Sequence, residues 1–189
     1  MAHVNHSIIT GKFKGMLGKE LVFREWEGKT IVAKAPKSRT GAPTPQQVET
    51  QENFLLASRY AKAVMTGQDP GIREAYAKAL RPRQNVYSRA LEDFISLPVV
   101  KSIGKSAYTG VIGDKITVRA IDDFRVTGVS VEIHSANGTL LEKGNAVQSV
   151  NGLDWTYTVT QANNLLAGSK IKAIATDVPG NEGTLEVTL

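Results

Sequence analysis

The chain has 189 residues, 22% of them charged and 41% hydrophobic, with a formal net charge of +5 and no cysteine. Without cysteine there is no disulfide framework, no thiolate zinc site and no cysteine nucleophile, and the length suits one large domain or two small ones. Residues 1–98 carry fifteen Lys/Arg against nine Asp/Glu and residues 99–189 eight against nine, so the basicity belongs to the first half and two domains are expected, 1–98 and 99–189.

Met1–Thr10 lacks a cationic start followed by an apolar run, so it does not read as a secretory signal. His3 and His6 fall in this stretch and read as a solvated tail. No segment approaches the roughly 18 consecutive apolar residues of a spanning helix. The expectation is a protein made in the cytoplasm, with no membrane segment and no signal peptide.

Gly11, Gly15 and Gly18, interleaved with Lys12, Lys14 and Lys19, mark a mobile or tightly turned stretch. Leu21–Trp26 and Thr30–Ala35 then alternate, and Glu27-Gly28-Lys29 between them predicts a β-hairpin with glycine supplying a positive φ. Pro36–Pro43 has the Pro, Gly, Ser and cation content of an extended exposed arm. Thr44-Pro45-Gln46-Gln47 reads as a helix start, with Thr44 as N-cap, Pro45 at N1 and Gln47 able to reach back; this helix should run to about Thr66. Asp69-Pro70 repeats the signal for a second helix, striped by Ile72, Tyr76 and Leu80. A third is expected from about Gln84 to Ser96, burying Val86, Leu91, Phe94 and Ile95, with Leu97-Pro98 as a hinge.

Beyond Pro98 the period changes from 3.6 to 2. Leu153–Thr160 alternates without error, Val129, Val131 and Ile133 alternate with Ser130, Glu132 and His134, and Ile116-Val118-Ala120, Ile171-Ala173-Ala175 and Leu185-Val187-Leu189 behave alike. Turn signals stand at Ala136–Gly138, Asn151-Gly152 and Pro179–Gly183. About seven strands in about 90 residues without a helical pattern indicate an immunoglobulin-like sandwich. The expected fold is therefore an α+β N-terminal domain, a hairpin plus about three helices, followed by an all-β immunoglobulin-like sandwich.

Asp122-Asp123-Phe124 before a Val-Ser-Val strand, Gly152-Leu-Asp-Trp155-Thr-Tyr157, and Ala175-Thr-Asp177-Val-Pro-Gly180-Asn181 resemble bacterial immunoglobulin-like modules over about residues 104–189. Their pattern is a buried tryptophan strand followed by a strand ending in an Ala-x-Asp-x-x-Gly-Asn turn. The resemblance implies a binding or spacing unit. More loosely, Gly15-x-x-Gly18-x-x-Leu21-Val-Phe23 through Gly28-Lys29-Thr30, then Lys34-x-Pro36 and Thr44-x-Gln46, resembles an uncharacterised Bacteroidota family with a glycine-led hairpin, a Lys-x-Pro arm and helices. That likeness implies no activity.

Catalytic chemistry is thinly represented. His134 falls on the polar side of its strand. Ser102-Ile-Gly-Lys105 fits Ser-x-x-Lys without the accompanying motifs, and Gly104-Lys105-Ser106 ends like a phosphate loop although Val99 stands where its first glycine is required. No catalytic residue, cofactor or metal site is assigned. Asp114, Asp122, Asp123, Asp177 and Asn181 lie in predicted loops; hard oxygen ligands suit calcium, but no twelve-residue calcium loop is present and these are standard turn residues.

The candidate contact residues are Lys12, Lys14, Lys19, Arg24, Trp26, Lys29, Lys34, Lys37 and Arg39, clustered ahead of the first helix. Such a cluster serves an acidic protein surface or nucleic acid, and no helix-turn-helix, ribbon–helix or stacking signature accompanies it. The expectation is a non-enzymatic structural protein, a component of a phage or phage-like particle. Residues 1–98 would anchor it to other protein subunits as a homo-oligomer or part of a larger assembly, and the sandwich would project. The alternative is a cytoplasmic nucleic-acid-binding protein using the same basic half.

Overall fold

Glycines and short alternating runs set the first part of the chain. Gly15, Gly18 and Gly28 take φ of 105°, 59° and 73°, the left-handed region that glycine enters without a Cβ penalty. They delimit β2 (Gly15–Leu17), β3 (Leu21–Trp26) and β4 (Lys29–Lys34), preceded by β1 (Ala2–Val4). The computed structural model describes residues 2–4, 14–26, 28–37, 41–67 and 69–189, and these four strands form an antiparallel sheet in the order β1-β4-β3-β2. The expected hairpin is present, with Trp26 paired to Lys29 at its closed end; Glu27 lies outside the described residues. Two strands join it that the sequence reading did not foresee. Ala2–Val4, taken for a solvated tail, pairs with Thr30–Val32, placing His3 opposite Ile31. Gly15–Leu17, taken for a mobile or turned stretch, pairs with Leu21–Phe23. Backbone pairing supplies the reason, because β3 and β4 each offer a free edge whose N–H and C=O groups a short segment can satisfy. Residues 5–13, with Gly11 and His6, lie outside the described residues, as do Ser38–Thr40 of the arm.

The chain divides into two compact units, residues 1–45 and 46–189. The period change at Pro98 thus falls inside the second unit, whose helices and sheets share side-chain bonds. Its helices are α1 (Pro45–Thr66), α2 (Pro70–Lys78) and α3 (Val86–Ile95). Asp69 caps α2, its Oδ1 accepting from the N–H groups of Gly71 at 2.9 Å and Ile72 at 3.2 Å. Asn85 and Ser88 close a reciprocal capping box on α3. Ala61, Val64, Tyr76 and Ala90 form the helical core, with Ile72, Val86, Leu91, Phe124 and Val178 against it. Ile95, expected inside, is 51% exposed. The inward face of α3 is rotated so that Arg89, Ala90 and Asp93 are buried.

The strands that follow are β5 (Val99–Gly104), β6 (Lys115–Ile121), β7 (Val126–His134), β8 (Leu140–Asn145), β9 (Val147–Gln148), β10 (Asp154–Thr158), β11 (Lys170–Asp177) and β12 (Glu182–Thr188). They make two four-stranded antiparallel sheets, β5-β6-β10-β9 and β12-β11-β7-β8. Alternate residues of both sheets meet in one core: Ile116, Val118, Trp155 and Tyr157 from the first, Val131, Ile133, Ile171 and Ala173 from the second. Pro98 is no exposed hinge. It is buried, and Gly183 lies so close that a Cβ there would fall 1.7 Å from the Pro98 carbonyl oxygen. Among the described residues no helix is long and apolar enough to cross a membrane.

Candidate functional site

The register of the N-terminal sheet distributes the predicted cations. Residues opposite one another in an antiparallel pair share a face, so Arg24 and Lys29, with Ile31, occupy one face, while Lys34, with Leu21, Phe23 and Thr30, occupies the other. Phe23 and Thr30 are the buried described side chains of this unit, so Lys34 lies at the rim of the covered face. Lys14 makes an exposed ion pair with Glu25. Lys19 sits in the β2–β3 turn at φ 58°, and an open groove gathers Lys19, Lys34 and Lys37 with the acidic Glu20 and with Met16 and Pro36. The structure therefore brings together Lys19, Lys34 and Lys37, and separates them from Arg24 and Lys29. Trp26 closes the hairpin as the register partner of Lys29; Lys12 and Arg39 lie outside the described residues.

The loop aspartates are spent on their own turns and on ion pairs. The Asp114 carboxylate accepts from the N–H groups of Thr109 at 2.6 Å and Val111 at 3.0 Å, and these bonds hold its pKa below the usual range. Asp122 Oδ2 accepts from the N–H groups of Phe124 and Arg125, each at 3.0 Å. Asp177 accepts from Asn181 N–H at 2.6 Å and from its side-chain amide at 2.8 Å, and that amide also donates to the Phe94 carbonyl at 3.1 Å. No group of three or more His, Cys, Asp or Glu arranged to hold a metal ion occurs among the described residues. His134 sits at the strand rim, its Nε2 3.4 Å from Glu132 Oε2. Ser102 and Lys105 lie on and just after β5, where Lys105 Nζ donates to the Thr188 carbonyl.

The most unusual chemistry was missed in the sequence. Where α1, α2 and α3 meet the β6–β7 and β11–β12 loops, Asp93 is fully buried and its Oδ2 accepts from the Tyr76 hydroxyl at 2.5 Å. The Tyr76 hydroxyl in turn lies 2.9 Å from that of Tyr60. Asp93 Oδ1 is buried without a hydrogen-bond partner. Burial pushes the Asp93 pKa up to about 6, against the Tyr76 bond and with the help of nearby Asp122 and Asp177. Burial likewise raises Asp177 and Tyr76. One turn earlier Arg89, also buried, pairs with Asp123 and donates to its carbonyl at 2.8 Å. Burial works to raise the Asp123 pKa, but the bonds from Arg89 and Arg81 outweigh it and hold that carboxylate low. The Arg89 guanidinium lies 5.4 Å from the centre of the Phe124 ring, whose own stack on Tyr76 is 4.5 Å between centroids. This network joins helices to sheets. An i, i+4 pair of opposite charge at Arg89 and Asp93 reads from sequence as an exposed salt bridge, which is why it gave no signal.

No family model matches the chain, and no curated protein matches it. Solved structures similar to part of it include an engineered protein, at 23% identity and a TM-score of 0.34 over 49% of this chain and 18% of the other. Another is a tetra-tandem repeat from the extending region of a large adhesion protein, at 18% identity and a TM-score of 0.36 over 49% of this chain and 23% of that one. The chain thus spans about a quarter or less of the length of the structures it resembles.

Proposed function

We propose that this chain is a non-enzymatic structural protein, a component of a phage or phage-like particle. In this reading its N-terminal part anchors to other subunits while residues 99–189 project as an immunoglobulin-like sandwich. One observation carries the proposal. The N-terminal sheet buries only Phe23 and Thr30 among its described side chains, while Met16 and Leu17 are 60% and 61% exposed. A small sheet with so little inside it is completed by a surface that covers it.

The strand order supports the immunoglobulin-like reading of the projecting part. With β5 as strand A, the sheets read A-B-E-D and G-F-C-C′, the arrangement of that architecture. The burial of Trp155 on β10 and the Asp177–Asn181 turn that follows β11 also support the resemblance. Comparing the molar mass of the full chain with that of a chain lacking residues 1–43, by light scattering at low and high salt, tests the anchoring role. The full chain is expected in the assembly of more subunits, and to sediment with particles when they are present; equal numbers of subunits for the two chains, or no particle association, would refute the reading.

Nucleic-acid binding is the second reading, favoured by the groove that gathers Lys19, Lys34 and Lys37. It predicts that log K falls with log salt at a slope of roughly 2 to 3, that of three phosphate contacts. The placement of Arg24 and Lys29 on the sheet face opposite Lys34 favours the assembly reading over it.

A further inference from the structure

We propose that α1 is a self-association element: two copies of the chain pair through antiparallel α1 helices, turned end for end about the midpoint between Leu55 and Leu56. The inference deepens the assembly reading by naming a second copy as one partner, and it is carried by α1 alone.

Two opposite faces of the helix have different fates. Ala57, Ala61 and Val64, at steps of four and three, are its buried residues and pack towards the second unit's core. Val48, Glu52, Leu55, Arg59 and Lys62 follow the same steps on the other side, flanked by Glu49 and Leu56, and all are exposed. Leu55 and Leu56 are 52% and 49% exposed at the middle of a 22-residue helix. No residue of the first half, Pro45–Leu56, is buried. A leucine pair in that position, rimmed by charge, has the character of a contact surface.

Charge selects the occupant. Glu49 and Glu52 stand on one side of the two leucines and Arg59 and Lys62 on the other. Reversal about the Leu55–Leu56 midpoint places Glu52 opposite the partner's Arg59 and Glu49 opposite the partner's Lys62. Leu55 then meets the partner's Leu56, and Val48 the partner's Ala63. The correspondence is reciprocal, as a two-fold contact requires, and the four charges span roughly 20 Å of helix at 1.5 Å per residue. Within α1 these charges are spent on nothing. None has an opposite charge three or four positions away, and none makes an ion pair among the described residues. Glu49 beside Glu52 and Arg59 beside Lys62 are instead like-charged pairs at i, i+3, which cost an isolated helix stability. The helix macrodipole does not account for them, because its effect is confined to the terminal turns, and these hold no acidic residue at the start and no basic residue at the end. A second copy in antiparallel register satisfies all four and covers the leucines, with crossing geometry of the kind that long helices adopt in bundles.

The test uses two variants of the full chain, Glu49→Lys with Glu52→Arg, and Arg59→Glu with Lys62→Glu, with far-UV circular dichroism as the check that each folds. Sedimentation equilibrium of each alone is expected to give a lower mass than the wild type, because the charges that face each other across the α1 pair all become alike. An equimolar mixture of the two is expected to regain the wild-type mass, since opposite charges then face each other across the pair. Unchanged mass in either variant, a mixture that stays dissociated, or a wild-type chain that is monomeric would overturn the pairing. The deletion of residues 1–43 leaves α1 intact. A number of subunits that falls on deletion but not on charge reversal therefore refutes the α1 pair and leaves the anchoring role standing, and the converse pattern refutes anchoring and leaves the pair.

Discussion

Replacing Asp93 by asparagine is expected to stabilise the second unit at neutral pH and to flatten its stability between about pH 4 and pH 6. The carboxylate is fully buried, one oxygen accepts from Tyr76 and the other has no partner. Facing it are Tyr76 on α2, Tyr60 on α1, Arg89 on its own helix, Asp122 on the β6–β7 loop and Asp177 on β11. Burial is the main influence on the Asp93 pKa and outweighs the Tyr76 bond, with Asp122 and Asp177 adding to it. Arg89, already engaged by Asp123, opposes it only weakly, and the pKa rises from 3.8 to about 6. The native state therefore holds the proton more tightly than the unfolded chain. The stability this group contributes is present in full below about pH 4 and is lost as pH rises through about 6. The gap is worth about 3 kcal/mol at 1.36 kcal/mol per pH unit. Asparagine keeps an oxygen for Tyr76 and carries no charge at any pH, so its advantage over the wild type should grow from near zero at pH 4 to about 2–3 kcal/mol at pH 7. Urea unfolding followed by the fluorescence of buried Trp155 at a series of pH values measures this difference. Stability curves that run parallel for the two proteins from pH 4 to pH 7 would refute the account of the network.

Four other substitutions probe different parts of the molecule. Arg89→Ala removes the buried partner of Asp123 and the cation over Phe124 and should cost about 3 kcal/mol in urea unfolding, as breaking a buried pair does. Glu142 is buried and its Oε2 accepts from the Tyr157 hydroxyl and Thr160 N–H, each at 2.9 Å, and from the Thr160 hydroxyl at 2.7 Å. Glu142→Ala should therefore cost about 2–4 kcal/mol, measured the same way, by leaving those donors unsatisfied. Gly183→Ala puts a Cβ 1.7 Å from the Pro98 carbonyl oxygen, and a thermal melt should show a loss of about 2 kcal/mol or more as β5 is pushed from β12. Lys19→Gly relieves a side chain held at φ 58° and should stabilise the β2–β3 turn by about 0.5–1 kcal/mol, read as slower hydrogen exchange at the Glu20 N–H that bonds to the Leu17 carbonyl.

Much of the fold was legible before any coordinates, because local chemistry carries it. Asp69-Pro70 specifies a helix start wherever it occurs, since the N–H groups of a first turn need an acceptor. The strict alternation of Leu153–Thr160 and Val129–Ile133 fixes which residues enter a sheet core, since the side-chain period of a strand is two. Gly28 and Gly152 mark turns, at φ 73° each. Other features depend on partners distant in sequence. Ala2–Val4 and Gly15–Leu17 are too short to announce themselves and become strands only because β3 and β4 present edges. Arg89 and Asp93 look like a solvated pair until Asp123, 34 positions beyond Arg89, and Tyr76, 17 before Asp93, enclose them. The basic cluster was visible as composition, yet only the register of β3 with β4 decided that Arg24 and Lys29 share a face from which Lys34 is excluded. The charge reversal about Leu55 and Leu56 was present in the sequence throughout. It acquired meaning only when packing buried Ala57, Ala61 and Val64 and left the opposite face of the helix in solvent, because one helix satisfies its own periodicity whichever face the tertiary structure covers.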